Sequence, residues 1–272
     1  MNSNEAYQAE FIGFQSELKS YLYRMVTHRA QAEDLAQDTY LKAFQKIDQF
    51  QGKSSFKTWV FSIATNLARD SFRVQQRWGV DWMDLVRDAH VSDEKLLNKK
   101  FEVAKNSPHG TFVMHEHLNY CFTCVSKTLL LEQQICLLLK EVYGFKIGEI
   151  MQIAGLTEGK VKHALADSRK TLTNIFEHKC VLINKKGVCS QCTGLNNKFN
   201  PRQDSHIESN KLKIVREKEG KNYNQLLDLR LQMVNSIDPL SGEGIDLHNY
   251  LIENSPEWAK SQMEKVKLKK GI

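Results

Sequence analysis

Apolar side chains recur at steps of three and four residues through the first 77 positions, which is the spacing of amphipathic α-helices. These stripes predict helices over about 11–25, 34–47 and 56–77. Gly52 and two adjacent serines interrupt the pattern at 50–55, where we predict a turn and a serine N-cap. The N-terminal part of the chain should therefore form a small bundle of three helices.

The same spacing returns beyond residue 130, after a stretch at 78–120 that we interpret as a linker with one short helix. Further helices are predicted over 131–142, 147–155, 157–176, 211–234 and 246–254, and 194–201 resembles a connector. No segment shows the alternation of a half-buried β-strand. The predicted fold class is all-α: two small helical domains joined by a linker, then a cysteine-rich segment and a helical C-terminal extension.

Composition narrows the class of protein. The 14 Gly and 4 Pro argue against a turn-rich β-sandwich, and 38 Lys plus Arg against 32 Asp plus Glu leave a surplus of only six. Any binding of nucleic acid must therefore come from local clusters of positive charge. No apolar run approaches the ~18 residues of a membrane span, and the start MNSNEAYQAEF lacks the order of a secretory signal. We expect a cytoplasmic protein that does not insert into membranes.

The segment 149–169 has the spacing of a helix-turn-helix. Gly155 supplies a left-handed turn residue, Ile150 and Val161 are spaced to lock the two helices together, and Thr157 is placed to cap the second helix. The exposed side of that second helix would carry four groups that can approach DNA: Lys160, Lys162, His163 and Arg169. An ordinary helical hairpin with a solvated basic face is the alternative reading of the same spacing.

The N-terminal module pairs an acidic helix with an aromatic and basic one. Asp34 and Asp38 share a face of the first, and the second carries rings and cations at Phe50, Phe56, Trp59, Phe61, Arg69, Arg73 and Arg77. Cations neutralise phosphates, and rings near them can stack on unpaired bases. The rings cannot all be exposed, and we expect at least Trp59 to belong to the core.

Two stretches of this module, EDLAQDTYLKA at 33–43 and FKTWVFSIATNLARD at 56–70, resemble region 2 of the bacterial sigma-70 family, extracytoplasmic-function (ECF) type. The later segment, from LEQQI at 131–135 through Glu149 to Arg169, resembles region 4 of the same family. The resemblance divides the chain into region 2 (5–77), a linker (78–120), region 4 (121–178), a cysteine-rich segment (179–200) and an extension of unknown role (201–272).

This resemblance implies a dissociable subunit that gives core RNA polymerase its promoter specificity. Polymerase binding would fall to Asp34, Gln37, Asp38 and Leu41. The melted minus-10 strand would be held by Phe50, Phe56, Asn66, Arg69, Arg73 and Arg77, and minus-35 DNA by Lys160, Lys162, His163 and Arg169. An anti-sigma factor is a further candidate partner. Met151, Ala164 and Asp167 depart from the family pattern, so we expect weakened minus-35 contacts.

Six cysteines in a reducing compartment point to metal ligation or burial rather than disulfides. Cys136 lies on an apolar helix side and is expected in the core. Two Cys-x-x-Cys pairs flank the helix-turn-helix and are candidate ligands of a structural zinc: Cys121, Cys124, Cys189 and Cys192, with Cys180 and His117 as alternatives. The resemblance implies no required cofactor, and buried thiols that bind no metal are the competing interpretation.

Two other functions fit parts of the sequence. A thiol enzyme or redox switch would use Cys121 and Cys124 as an exchanging dithiol, but no βαβ pattern accompanies them, so we expect no catalysis. A helix-turn-helix DNA-binding regulator with a zinc or redox-sensing site is the other alternative. Co-purification with core polymerase would separate it from a sigma factor.

Overall fold

The computed structural model describes residues 3–72, 84–85, 94–180, 182–184 and 191–270, and this part of the chain is helical without an extended β-strand. The all-α prediction is confirmed. The helices that position the features below are α1 Ser3–Val26, α2 Arg29–Gln45, α3 Phe56–Phe72, α4 Glu94–Asn106, α5 Met114–Ser126, α6 Leu131–Leu137, α7 Ile147–Ala154, α8 Glu158–Lys179, α9 Gln191–Phe199, α10 Ser205–Lys211, α11 Lys213–Arg216, α12 Tyr223–Asn235 and α13 Ile245–Lys270.

The chain forms two compact units, and each draws on two separate stretches of sequence. The first contains Met1–Arg77 and Leu129–Ser168, and the second contains Trp78–Thr128 and Arg169–Ile272. The helix-turn-helix segment thus shares a unit with the three N-terminal helices. The boundaries of region 2, the linker and region 4 that the resemblance implies stay predictions. The two compact units divide the chain at other positions.

The first unit packs α1, α2 and α3 around a core to which α6 and α7 also contribute. The fully buried side chains of this core include Leu18, Leu22, Val60, Phe61, Ile135 and Ile150. Arg24 is also buried, and its Nη1 donates to Ser20 Oγ and, at 2.9 Å, to Tyr143 Oη. The guanidinium therefore has two hydroxyl acceptors within its own unit.

The second unit is built from α4, α5 and α9–α13 with the later part of α8. A single carboxylate joins two of its segments: Glu116 of α5 accepts hydrogen bonds from the backbone N–H groups of Glu243 at 3.0 Å and Gly244 at 2.9 Å, just before α13 begins. Gly242 has φ +138°, and a Cβ there would lie 2.6 Å from Glu116 Oε1. Only glycine fits this approach.

Four predicted segments differ in the structure. The predicted linker 78–120 contains α4 and half of α5, and the predicted connector at 194–201 is largely α9. The predicted helix at 211–234 is interrupted, because Asn222 caps a new helix by accepting a hydrogen bond from Gln225 N at 3.1 Å. The predicted helix at 246–254 continues through Pro256 to Lys270. No helix in the described ranges is long and apolar enough to cross a membrane.

Candidate functional site

One side of α2 is exposed and carries all four side chains that the resemblance assigned to polymerase binding. We call it the acidic face, and it consists of Asp34, Gln37, Asp38 and Leu41. The opposite side of the helix is buried through Ala32, Leu35, Ala36, Thr39 and Ala43. Leu41 is 46% exposed, and none of the four side chains pairs with another described residue. The face is therefore available to a partner.

Aromatic rings cluster at the start of α3. The Phe50 ring lies 5.2 Å from that of Trp59 and 5.7 Å from that of Phe56, measured between centroids. The structure corrects the expectation for Trp59, which is half-buried, whereas Phe56 is only 3% exposed. Phe56 occupies the core because it begins the α3 side that faces α1 and α2. Phe50 and Trp59 are the rings that keep accessible surface.

The predicted basic row of α3 is described only in part. Asn66 is exposed, and the side chain of Arg69 is 23% exposed. Arg69 Nη2 donates to Glu132 Oε2 and to the backbone oxygen of Ala154, both at 2.7 Å. Two further predicted members, Arg73 and Arg77, lie outside the described residues. The described cation of this row is thus engaged within the first unit.

The helix-turn-helix packs on α3 through its first helix. Thr58 Oγ1 of α3 donates to Glu149 Oε1 of α7 at 3.3 Å, and Arg69 contacts the end of the same helix at Ala154. A guanidinium beside the last carbonyl group of a helix is favourable, because the unpaired carbonyls carry partial negative charge. This contact joins the predicted minus-10 helix to the predicted minus-35 motif in one unit.

The turn between α7 and α8 has the predicted geometry. Gly155 adopts φ +65°, the left-handed conformation in which glycine is favoured, and Ile150 and Val161 are fully buried on either side of it. Thr157 Oγ1 lies 3.5 Å from Lys160 N, which is a long cap hydrogen bond. The two helices therefore have the geometry of a helix-turn-helix.

Most of the predicted DNA-contacting side chains of this motif lie near acidic groups. Lys160, Lys162 and His163 are all exposed on α8, but Lys162 Nζ pairs with Glu158 at 2.6 Å and His163 Nδ1 lies 3.8 Å from Asp167. Arg169, which belongs to the second unit, pairs with Asp228 at 2.5 Å. These neighbouring carboxylates reduce the positive potential that DNA would meet.

The described cysteines of the second unit occupy three elements. Cys121 and Cys124 lie one turn apart on α5, Cys180 directly follows α8, and Cys192 lies on α9. Cys189 lies outside the described residues. Within the described ranges no three His, Cys, Asp or Glu side chains already have the geometry of a metal site.

Two of the other candidate groups are placed elsewhere. His117 is buried among rings, stacked on Tyr120 at 5.0 Å and lying 5.2 Å from Phe112. Cys136 is fully buried in the first unit, and burial raises the pKa of its thiol to about 11. Cys136 is thus a core residue, as its sequence position predicts.

Sequence reasoning missed two residues that the structure brings to these sites. Glu132 holds Arg69 although 63 positions separate them, and no local pattern reveals such a pair. Arg230 lies fully buried beside Cys180. A partial signal for Arg230 was available in the run LLDLRLQMV at 226–234, where a cation has a leucine on each side.

Comparison with known proteins places these features in a family. The family described as Sigma-70 region 2 matches residues 13–78, which include the acidic face and α3. The ECF RNA polymerase sigma factor SigX of Bacillus subtilis (strain 168) is 29% identical over 179 residues, covering 64% of this chain and 84% of that protein. The ECF RNA polymerase sigma factor SigW of the same organism is 28% identical over 163 residues, covering 58% and 82%.

Among solved structures, the sigma factor RpoE in complex with the anti-sigma factor NepR from Bartonella quintana matches with a TM-score of 0.42 and 20% identity, over 62% of this chain and 96% of that one. A similarity of that degree carries no argument about arrangement or partner. The region 2 match and the two relatives rest on sequence and are independent of it. On their combined evidence, residues 13–78 form a sigma-70 region 2, and the chain is similar to extracytoplasmic-function sigma factors of the sigma-70 family over about 60% of its length.

Proposed function

We propose that this chain binds core RNA polymerase through the acidic face and directs it to promoters, where α3 holds the opened minus-10 strand and α8 contacts minus-35 DNA. The observation that carries the proposal is the region 2 match over residues 13–78, because it contains both the acidic face and the aromatic and basic side chains of α3. The chain would act in the cytoplasm as a non-catalytic subunit that needs no cofactor for this role.

The composition of the acidic face supports a protein partner. Leu41, 46% exposed, lies among two carboxylates and an amide on the same helix side. An apolar side chain within a polar rim is the usual anatomy of a protein interface. The two carboxylates would favour a basic partner surface, and salt should weaken that attraction.

The rings of Phe50 and Trp59 support contact with an opened strand. Both keep accessible surface, and exposed Asn66 lies two turns further along α3. An unpaired base can stack on such a ring, a contact worth about 1–3 kcal/mol. Phe56 would support these rings from the core, and Arg69 would have to exchange Glu132 for a phosphate group.

The cations of α8 support binding to minus-35 DNA, but this contact should be weaker than the others. Lys160 and Lys162 can neutralise phosphates, while Glu158 and Asp167 on the same helix oppose this. An anti-sigma factor stays a predicted partner.

Transcription in vitro with purified core polymerase, the full chain and genomic templates tests this function. Asp34→Ala combined with Asp38→Ala should weaken polymerase binding roughly tenfold, since each exposed pair contributes up to about 1 kcal/mol. Binding to minus-35 DNA alone should be unchanged. The control is Glu10→Ala with Asp48→Ala, which removes the same charge from exposed positions outside the acidic face.

Equal polymerase binding by the two double variants would contradict the assignment of the acidic face. A chain that binds polymerase but starts no transcript would contradict the function itself. DNA binding without polymerase binding would instead identify a helix-turn-helix regulator.

A further inference from the structure

A buried arginine lies among the cysteines of the second unit. Arg230 on α12 is 1% exposed, and its Nη2 donates a hydrogen bond to Cys180 Sγ at 2.8 Å. The guanidinium carbon lies 3.9 Å from the centroid of the Phe176 ring. The Nε and Nη1 atoms are buried and have no hydrogen-bond partner among the described residues.

Three thiols act electrostatically on this guanidinium. Cys180, Cys121 and Cys192 all lie close enough to Arg230 to interact with its charge. These cysteines come from the end of α8, from α5 and from α9, and are brought together only by the fold. Cys124 lies one turn beyond Cys121 on α5, beside Tyr120.

The charge of Arg230 requires a compensating anion. An arginine side chain keeps its proton in proteins, and a buried charge without a counter-charge is strongly unfavourable. In the part of the chain that the structure describes, no carboxylate forms an ion pair with Arg230. A neutral thiol is only a weak acceptor, whereas a thiolate carries the missing charge.

Coordination of a metal ion is the simplest source of several thiolates, because a coordinating thiol is deprotonated outright. Four thiolates around Zn²⁺ leave two negative charges on the site, and such a group needs a nearby cation when it is buried. Hydrogen bonds to the ligating sulfur atoms are the usual second layer of a metal site. Arg230 offers both a charge and donors at this place.

We propose that Cys121, Cys124, Cys180 and Cys192 bind one zinc ion as a tetrahedral tetrathiolate site, with Arg230 as its buried counter-cation. Cys180 is included because its Sγ accepts the hydrogen bond of Arg230. Because no three ligands yet converge, binding requires the cysteine side chains to turn toward a common centre. Cys121 and Cys124 already share one side of α5, as the spacing of three residues dictates.

The site would stabilise the second unit by linking segments distant in sequence. Two ligands precede the helix-turn-helix segment and two follow it, so the metal would close a long loop of chain. A site of this kind has no counterpart in the unfolded chain, and its binding free energy therefore adds to folding. The proposal does not depend on the proposed function.

Metal analysis of the purified full chain tests the site. We expect about one zinc per chain, and cobalt in its place should give the visible absorption and thiolate charge-transfer bands of a tetrahedral sulfur site. Replacing all four cysteines by serine should abolish both signals. Cys136→Ala, a buried thiol of the first unit, is the matched control and should keep them.

A second measurement keeps the test valid where the fourfold variant fails to fold. In the unmodified chain, zinc should protect Cys121, Cys124, Cys180 and Cys192 from alkylation, and a chelator should expose all four together by mass spectrometry. A zinc-free chain, an iron–sulfur cluster or a disulfide among these cysteines would overturn the proposal. Loss of zinc in Cys189→Ser but not in Cys180→Ser would overturn the ligand set.

Discussion

Two arginines, one in each compact unit, have opposite kinds of environment. Arg69 in the first unit keeps 23% of its side chain exposed and contacts a half-exposed carboxylate, Glu132. Arg230 in the second unit is 1% exposed and donates to a sulfur atom. An exposed ion pair can exchange partners at little cost, whereas a buried cation needs a permanent anion. The first environment suits a transient ligand such as a phosphate, and the second suits a structural site.

The largest effect should come from removing the buried charge. Arg230→Met in the zinc-loaded chain should lower the free energy of unfolding by about 3–5 kcal/mol, because it leaves the charged thiolate site without its counter-cation. In the chelated chain the zinc–thiolate group is absent, and the same substitution should be neutral or stabilising. Urea unfolding of both forms measures the difference. The same sign with and without zinc would contradict the pairing of Arg230 with a metal site.

A buried histidine of the second unit should give the next largest effect. Burial lowers the pKa of His248 from 6.5 to about 4, and its ring faces Glu116, His117 and Tyr120 of α5. The unfolded chain therefore takes up a proton first, and this group's contribution to stability is complete above pH 6.5 and is lost as pH falls toward 4. The difference in pKa corresponds to about 3 kcal/mol.

Unfolding free energies measured across that pH range, for the unmodified chain and for His248→Gln, test this expectation. The variant should show a shallower dependence on pH, whatever its absolute stability. Parallel curves would mean that His248 is protonated equally in the folded and unfolded states.

The smallest effect on stability should come from breaking the Arg69–Glu132 ion pair. Glu132→Gln should cost less than about 1 kcal/mol, because solvent screens a pair whose carboxylate is 44% exposed. It should also release Arg69 for a phosphate, which would steepen the salt dependence of single-strand binding by about 0.7 in the log–log slope. Glu10→Gln removes the same charge from an exposed position of α1 and is the control. An equal change in both variants would show a general charge effect.

The features that the sequence predicts well depend on local signals. The acidic face follows from helical spacing within one element, and the left-handed turn follows from a glycine between two apolar stripes. The Arg69–Glu132 pair could not be predicted, because Glu132 lies on α6 and only tertiary packing brings it to Arg69 of α3. Phe56 was predicted to contact DNA because it is aromatic, but the structure buries it in the core.

The second unit was predicted poorly because its helices violate the local rules. Lys100 of α4 is 1% exposed, with its Nζ 4.9 Å from the Trp258 ring, so a charged residue occupies a position where the pattern requires an apolar one. Pro256 lies inside α13, where proline normally indicates a helix end. The shared cysteine site stays a prediction, and the contact between Arg230 and Cys180 became visible only once α12 was placed beside Cys180.

The carboxylate of Glu116 links residues that are synthesised far apart in time. It accepts hydrogen bonds from the backbone N–H groups of Glu243 and Gly244, which lie more than a hundred positions later in the chain. During translation α5 therefore emerges long before the segment that completes its surroundings. Domains generally fold as units as they are made, and here the second unit must wait while the entire helix-turn-helix is produced. The apolar surface of α5 should accordingly stay exposed to chaperones while the helix-turn-helix is being synthesised.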